Sequence, residues 1–139
     1  MNINTRPDLA YEIVELSTKF GKATLKDMRQ AARLIKKARD RPLRIKFKHL
    51  GDLRELKFLV YGDAAHASLP DGTSSCGGKL VLLLGKDGKC APLMWGSNKL
   101  KRIARSPLAA ETMAMLDAVE EALWCRFLLD DIIGFEKLG

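Results

Sequence analysis

Between Leu56 and Tyr61 the chain is almost continuously apolar, and the run stops abruptly at Gly62 and Asp63. A run this short, closed by a glycine and an acid, predicts a strand buried on both faces, which has to find a sheet. Two more strands follow. A Gly- and Ser-rich link from Pro70 to Gly78 leads to a second apolar run, Lys79 to Leu84; Asp87 and Gly88 are a hairpin signal, and Cys90 to Trp95 supplies the returning strand. The spacing predicts three antiparallel strands in a row.

Helical periodicity brackets this block. Leu9, Ile13, Leu16 and Phe20 recur at helical spacing before Gly21, predicting a short amphipathic helix. Thr24 with Asp27 approximates a capping box, and Leu25, Met28, Ala32 and Ile35 continue a second helix that must stop before Pro42. Leu43, Ile45 and Phe47 then alternate with Arg44, Lys46 and Lys48, the pattern of a strand with one solvated face, and Gly51 and Asp52 mark a turn. Downstream, Ser106 as cap and Pro107 at the first helical position start a helix that runs to about Asp130. There is no internal repeat and no low-complexity segment.

At 139 residues and 47% hydrophobic content the chain has the size and apolar fraction of one globular domain. No stretch reaches the roughly 20 uninterrupted apolar residues of a membrane span, and the segment around Arg6, Pro7 and Asp8 lacks a signal-peptide core. The expected setting is intracellular, cytoplasmic or nuclear, with no membrane partner. Cys76, Cys90 and Cys125 form an odd set with no CxxC spacing, so they read as small core residues, not as disulfides or zinc ligands. The 24 Lys and Arg against 17 Asp and Glu, a formal charge of +7, favour a polyanionic partner. The bases crowd between Lys22 and Lys48, and a second knot, Lys99, Lys101, Arg102 and Arg105, falls in a predicted loop. A basic loop entering a helix could track phosphates, whereas the first cluster could equally be a solvated helix face.

Two acids stand out. Leu108, Glu111, Met115, Ala118 and Ala122 are spaced by three or four, which places Glu111 in an apolar seam of the last helix. A carboxylate there needs a cation, a metal or hydrogen-bond donors. Asp63 ends a strand that otherwise reads as central, and strand ends are where ligands gather in sheets covered by helices. Such a pair could hold Mg²⁺, which takes oxygen ligands and keeps several waters. Asp63 could also cap a turn, and Glu111 could pair with a buried arginine. His66 and His49 read first as solvated turn residues, and Trp95 and Trp124 as packing residues.

From Leu56 to Ile132 the sequence resembles the ribonuclease H region of copia-type retrotransposon polyproteins. The resemblance rests on Tyr61-Gly62-Asp63-Ala64, Gly77-Gly78, Trp95-Gly96-Ser97, the basic stretch Lys99 to Arg105, Ser106, Ala110-Glu111, and Trp124 with Leu128-Leu129, in the family's order. Thr5 to Tyr11 and the two helices after it resemble the stretch joining polymerase to ribonuclease H. The resemblance implies an α/β, partial ribonuclease-H-like fold, its mixed sheet starting with three antiparallel strands followed by a helix. Residues 1–50 would be a helical connection-like arm plus a strand, and residues 51–139 the N-terminal half of the domain. It implies Asp63 and Glu111 as catalytic acids and ligands of Mg²⁺ or Mn²⁺, acting on an RNA–DNA hybrid, with Lys99, Lys101, Arg102 and Arg105 on the nucleic acid. The family's third aspartate stands on a following strand and has no counterpart here, Asp130 and Asp131 coming too early. The expectation is therefore a fragment, a degenerate copy or a repurposed remnant, partnered by the rest of a polyprotein or by a second copy covering the open sheet. The rival expectation is a noncatalytic remnant that binds nucleic acid or a protein.

Overall fold

The computed structural model describes residues 6–52 and 55–133. Thr5 of the upstream motif and residues 134–139 lie outside them. A 3₁₀ turn, Pro7–Leu9, leads into α1 (Ala10–Ser17), and α2 (Leu25–Asp40) follows. The local signals for α2 are realised: the Thr24 hydroxyl accepts from the Asp27 N–H at 3.3 Å while the Asp27 carboxylate accepts from the Thr24 N–H at 2.9 Å, satisfying two free donors at once. Arg6 donates to both carboxylate oxygens of Asp8 and to the Ala38 carbonyl, tying the chain's start to the last turn of α2. Lys37 and Glu12, 2.7 Å apart, join α2 to α1 again.

The alternating segment from Leu43 to Lys48 forms no strand. Alternation makes a chain amphipathic when extended, but a strand also needs a partner for its backbone groups. Among the described residues this segment has none, and Leu43 and Phe47 stay exposed. Within the expected arm, residues 6–50 are therefore helical and irregular without the expected strand.

Three strands, β1 (Lys57–Ala65), β2 (Cys76–Leu84) and β3 (Cys90–Lys99), pair antiparallel in the order β1-β2-β3. The β2–β3 hairpin closes through Gly85 and Lys89, 2.9 Å between N–H and carbonyl, with Gly88 at φ 72° where an L side chain would be strained. All three strands outrun their apolar cores. β1 continues through Asp63, opposite Gly78, to Ala65, and β3 reaches Lys99. The sheet is mixed with helices in the fold, yet among the described residues its strands are wholly antiparallel.

The expectation of a central β1 buried on both faces is overturned. β1 is an edge strand, its outer edge unpaired among the described residues, and Tyr61, Asp63 and Ala65 are exposed. Its apolar content is explained by one covered face. The long helix α3 (Pro107–Ile133), capped by the Ser106 hydroxyl accepting from the Ala109 N–H at 3.2 Å, packs over β1 and β2. Ala110, Ala114, Ala118, Ala122 and Cys125 are its buried line, meeting Val81 and Leu83 of β2 on the same side of the sheet. Small side chains let the helix come close. Gly62 marks the tightest point: a Cβ there would lie 2.7 Å from the Met115 Cα and 2.8 Å from the Ala114 carbonyl oxygen. On the other face α1 buries Val14 against Leu69 and Cys76. The sheet is thus a middle layer between α3 and α1.

Candidate functional site

Side chains alternate along β1. Gly62 and Ala64 face α3, so Asp63, with Tyr61 and Ala65, faces the α1 side, where these three line a shallow cavity of about 370 Å³ with Tyr11, Gly96 and Ser97. Asp63 is exposed at its rim. Because Ala64 packs with Leu100, Ala104 and Ala110, while Gly62 meets Ala114 and Met115, α3 runs antiparallel to β1. Glu111 therefore lies level with Asp63 along the strand. The two carboxylates share one end of the molecule but stand on opposite sides of the sheet, with the free edge of β1 between them.

Glu111 does not lie on the buried seam that its spacing predicts. Leu108, at 75% exposed, and Met115, at 43%, show that the line through Leu108, Glu111 and Met115 runs along the margin of the contact, and Glu111 is exposed. The helix turned its alanines inward because only they fit over Gly62 and Gly77. No desolvation problem therefore arises at Glu111, and neither carboxylate has an ion-pair or hydrogen-bond partner among the described residues. Among those residues no three His, Cys, Asp or Glu side chains form a group able to hold a metal. Asp63 and Glu111 are oxygen donors of the kind a hard divalent cation takes, but on opposite sides of the sheet they do not form a metal site among the described residues.

The basic loop is better built than its sequence suggested. Leu100 and Ala104 are buried plugs, the Leu100 N–H donates to the Ser75 carbonyl at 2.9 Å, and His66 Nε2 lies 3.1 Å from the Ala104 carbonyl oxygen. His66, expected to be merely solvated, pins this loop to the end of β1. Held at both ends, the loop presents Lys101, Arg102 and Arg105 to solvent. Lys99 differs, closing on Asp71 at 3.0 Å. Asp71 escaped notice in the sequence although Pro-Asp-Gly-Thr-Ser is turn chemistry. It accepts from the Thr73 and Ser74 N–H groups at 3.0 and 2.7 Å, and the bonds from Ser74, Thr73 and Lys99 hold its carboxyl well below the usual range.

Elsewhere, Cys76 and Cys125 are buried as expected, whereas Cys90 is exposed. Burial, followed by the nearby Glu121 charge, pushes the Cys125 thiol up. Glu121 itself accepts from Lys79 under α3, a half-buried pair that gives the helix its only polar tie to β2 among the described residues. Trp124 is half exposed beside Lys79, Met94 and Asn98. No helix of the described residues is long and apolar enough to cross a membrane. No protein-family model matches the chain, and no solved structure matches it.

Proposed function

We propose that this chain is the N-terminal half of a ribonuclease-H-type module of a retroelement polyprotein, directed at the RNA strand of RNA–DNA hybrids and using Mg²⁺ or Mn²⁺. One arrangement carries the reading. An antiparallel β1-β2-β3 sheet presents Asp63 on its first strand, and α3 crosses that strand at Gly62, so that Glu111 comes to the same end. Asp63 and Glu111 would be two of the metal's oxygen ligands, substrate phosphate, waters and an acid from outside the described residues completing the shell. Such a metal supplies an activated water and stabilisation of the leaving oxygen in phosphodiester hydrolysis. The chain's own contribution is positional: the sheet and α3 fix the two carboxylates, and Lys101, Arg102 and Arg105 neutralise phosphates beside them. A hybrid would be selected by groove shape and 2′-hydroxyl contacts.

A second reading, a noncatalytic remnant that binds nucleic acid or a partner, draws on the separation of Asp63 and Glu111 to opposite sides of the sheet and on the edge of β1 that is unpaired among the described residues. Incubation of the chain with a labelled hybrid and Mg²⁺ or Mn²⁺ divides the two. The first expects RNA-strand cleavage that disappears in Asp63→Asn and in Glu111→Gln; the second expects salt-sensitive binding without cleavage. Cleavage untouched by either substitution would remove both, and no affinity for the hybrid would leave only the partner-binding form of the second.

A further inference from the structure

The cavity on the α1 side of the sheet has a floor without a side chain. Across the three strands, Asp63 of β1 pairs with Gly78 of β2, and Gly78 with Ser97 of β3. Two strand spacings separate Asp63 from Ser97, so the missing side chain leaves a gap about 10 Å wide between their backbones. Nothing in the fold demands glycine at 78. Its φ is not positive, and a Cβ there would meet nothing nearer than the Asp63 carbonyl oxygen at 4.0 Å, unlike Gly62 and Gly77, which are pressed by α3 and by Leu100.

Both tyrosines of the chain line this cavity, Tyr61 from β1 and Tyr11 from α1, and both are about half exposed. Neither the tyrosine side chains nor the Asp63 carboxylate has a hydrogen-bond or ion-pair partner among the described residues. The other polar side chains of the lining are engaged. The Ser97 hydroxyl donates to the Gly77 carbonyl and lies 3.0 Å from the Cys76 sulfur, and Lys79 is paired with Glu121. The cavity therefore offers a ligand two aromatic rings and one carboxylate, which accepts hydrogen bonds and donates none.

Rings beside a carboxylate suit a flat ligand that presents a pair of N–H donors. A guanidinium group has that shape, but the chain's formal charge of +7 repels a cation and attracts the phosphate of a nucleotide. Among the nucleobases guanine alone sets two donors side by side, N1–H and the N2 amino group, matching the two carboxylate oxygens. Adenine and cytosine place a ring-nitrogen acceptor beside their amino group, and uracil has one N–H between two carbonyls. We propose that the cavity receives a guanine base, its Watson–Crick edge on Asp63 and its ring against Tyr11 and Tyr61. This site does not rest on metal-dependent hydrolysis, since a base and a metal ion would compete for the same carboxylate.

Titration followed by NMR, in EDTA, tests the base site separately from the metal reading. Guanosine 5′-monophosphate should bind with a dissociation constant of roughly 0.1–1 mM, and the adenosine, cytidine and uridine monophosphates at least about tenfold more weakly. Asp63→Asn should weaken the guanosine nucleotide about tenfold and bind xanthosine 5′-monophosphate better than wild type does, because the xanthine C2 carbonyl meets the new amide N–H. Gly78→Val fills the floor and should abolish binding without lowering the denaturation midpoint; should valine disturb the strand, the xanthosine switch, which needs a folded chain, carries the test. At high salt, an oligouridylate with one guanine that binds more tightly than the free nucleotide assigns the base to a single strand, and equal affinity assigns it to the nucleotide. Four nucleotides bound alike, no binding at about 5 mM, an Asp63→Asn chain that keeps the guanine preference, or arginine amide bound in place of the nucleotide overturns the proposal.

Discussion

Gly62 is where the strand and the helix come closest, and the site's geometry depends on it. A methyl group added there meets helix backbone, which has no rotamer to yield, in contrast to Gly77, where the Leu100 side chain could shift. Gly62→Ala should cost about 1–3 kcal/mol, the usual range for forced overpacking, measured as a lower midpoint in chemical denaturation. A change within error would mean that α3 does not sit on β1 as described. The glycine is plain in the sequence, but its purpose is not, since only the helix lying over it makes a side chain intolerable. Asp63 was legible as an acid on a strand of a sheet; its exposure was not, because an apolar run cannot reveal that one of its faces lies open.

Among the elements, what is written locally was readable and what depends on a distant partner was not. The capping box of α2, the hairpin at Gly88 and the Ser106 cap are formed by residues within a few positions of one another, and each is found where the residue types put it. The segment from Leu43 to Lys48 had strand alternation and no strand to join. In α3 almost every side has apolar residues, so periodicity alone chose the wrong line for Glu111. The α2 cap also carries a pH dependence. Bonds from the Thr24 hydroxyl and N–H, reinforced by Lys19, hold the Asp27 carboxyl well below its ordinary value. A folded-state pKa below the unfolded one contributes stability above the unfolded value, lost as pH falls toward the folded one. Helicity should therefore decline as pH drops below about 4. Asp27→Asn should flatten that acid limb in far-UV circular dichroism; an unchanged limb would assign it to other carboxylates, Asp71 first.

For the molecule as a whole, the excess of basic residues pointed to a polyanion, and the pinned loop of residues 100–105 gives that charge a place. Replacing Lys101, Arg102 and Arg105 together by alanine should lower the slope of log affinity for a hybrid against log salt by about 2–3, close to one unit for each phosphate no longer neutralised. A slope unchanged by the triple substitution would move the interaction to the bases of α2. The acids are the harder part. That one stands on a strand and the other on a following helix was legible in the sequence, whereas their level along β1 and their placement on opposite sides of the sheet depended on strand alternation and on which line of α3 turned inward. The most direct test of their shared role is Mn²⁺ affinity, by calorimetric titration, of the wild-type chain, of Asp63→Asn and Glu111→Gln, and of the double variant. A shared ion predicts that each single substitution weakens binding and that the double weakens it no further, the two effects being far from additive. Independent, additive effects, or singles that bind as well as the wild type, would contradict a metal site built on these two carboxylates.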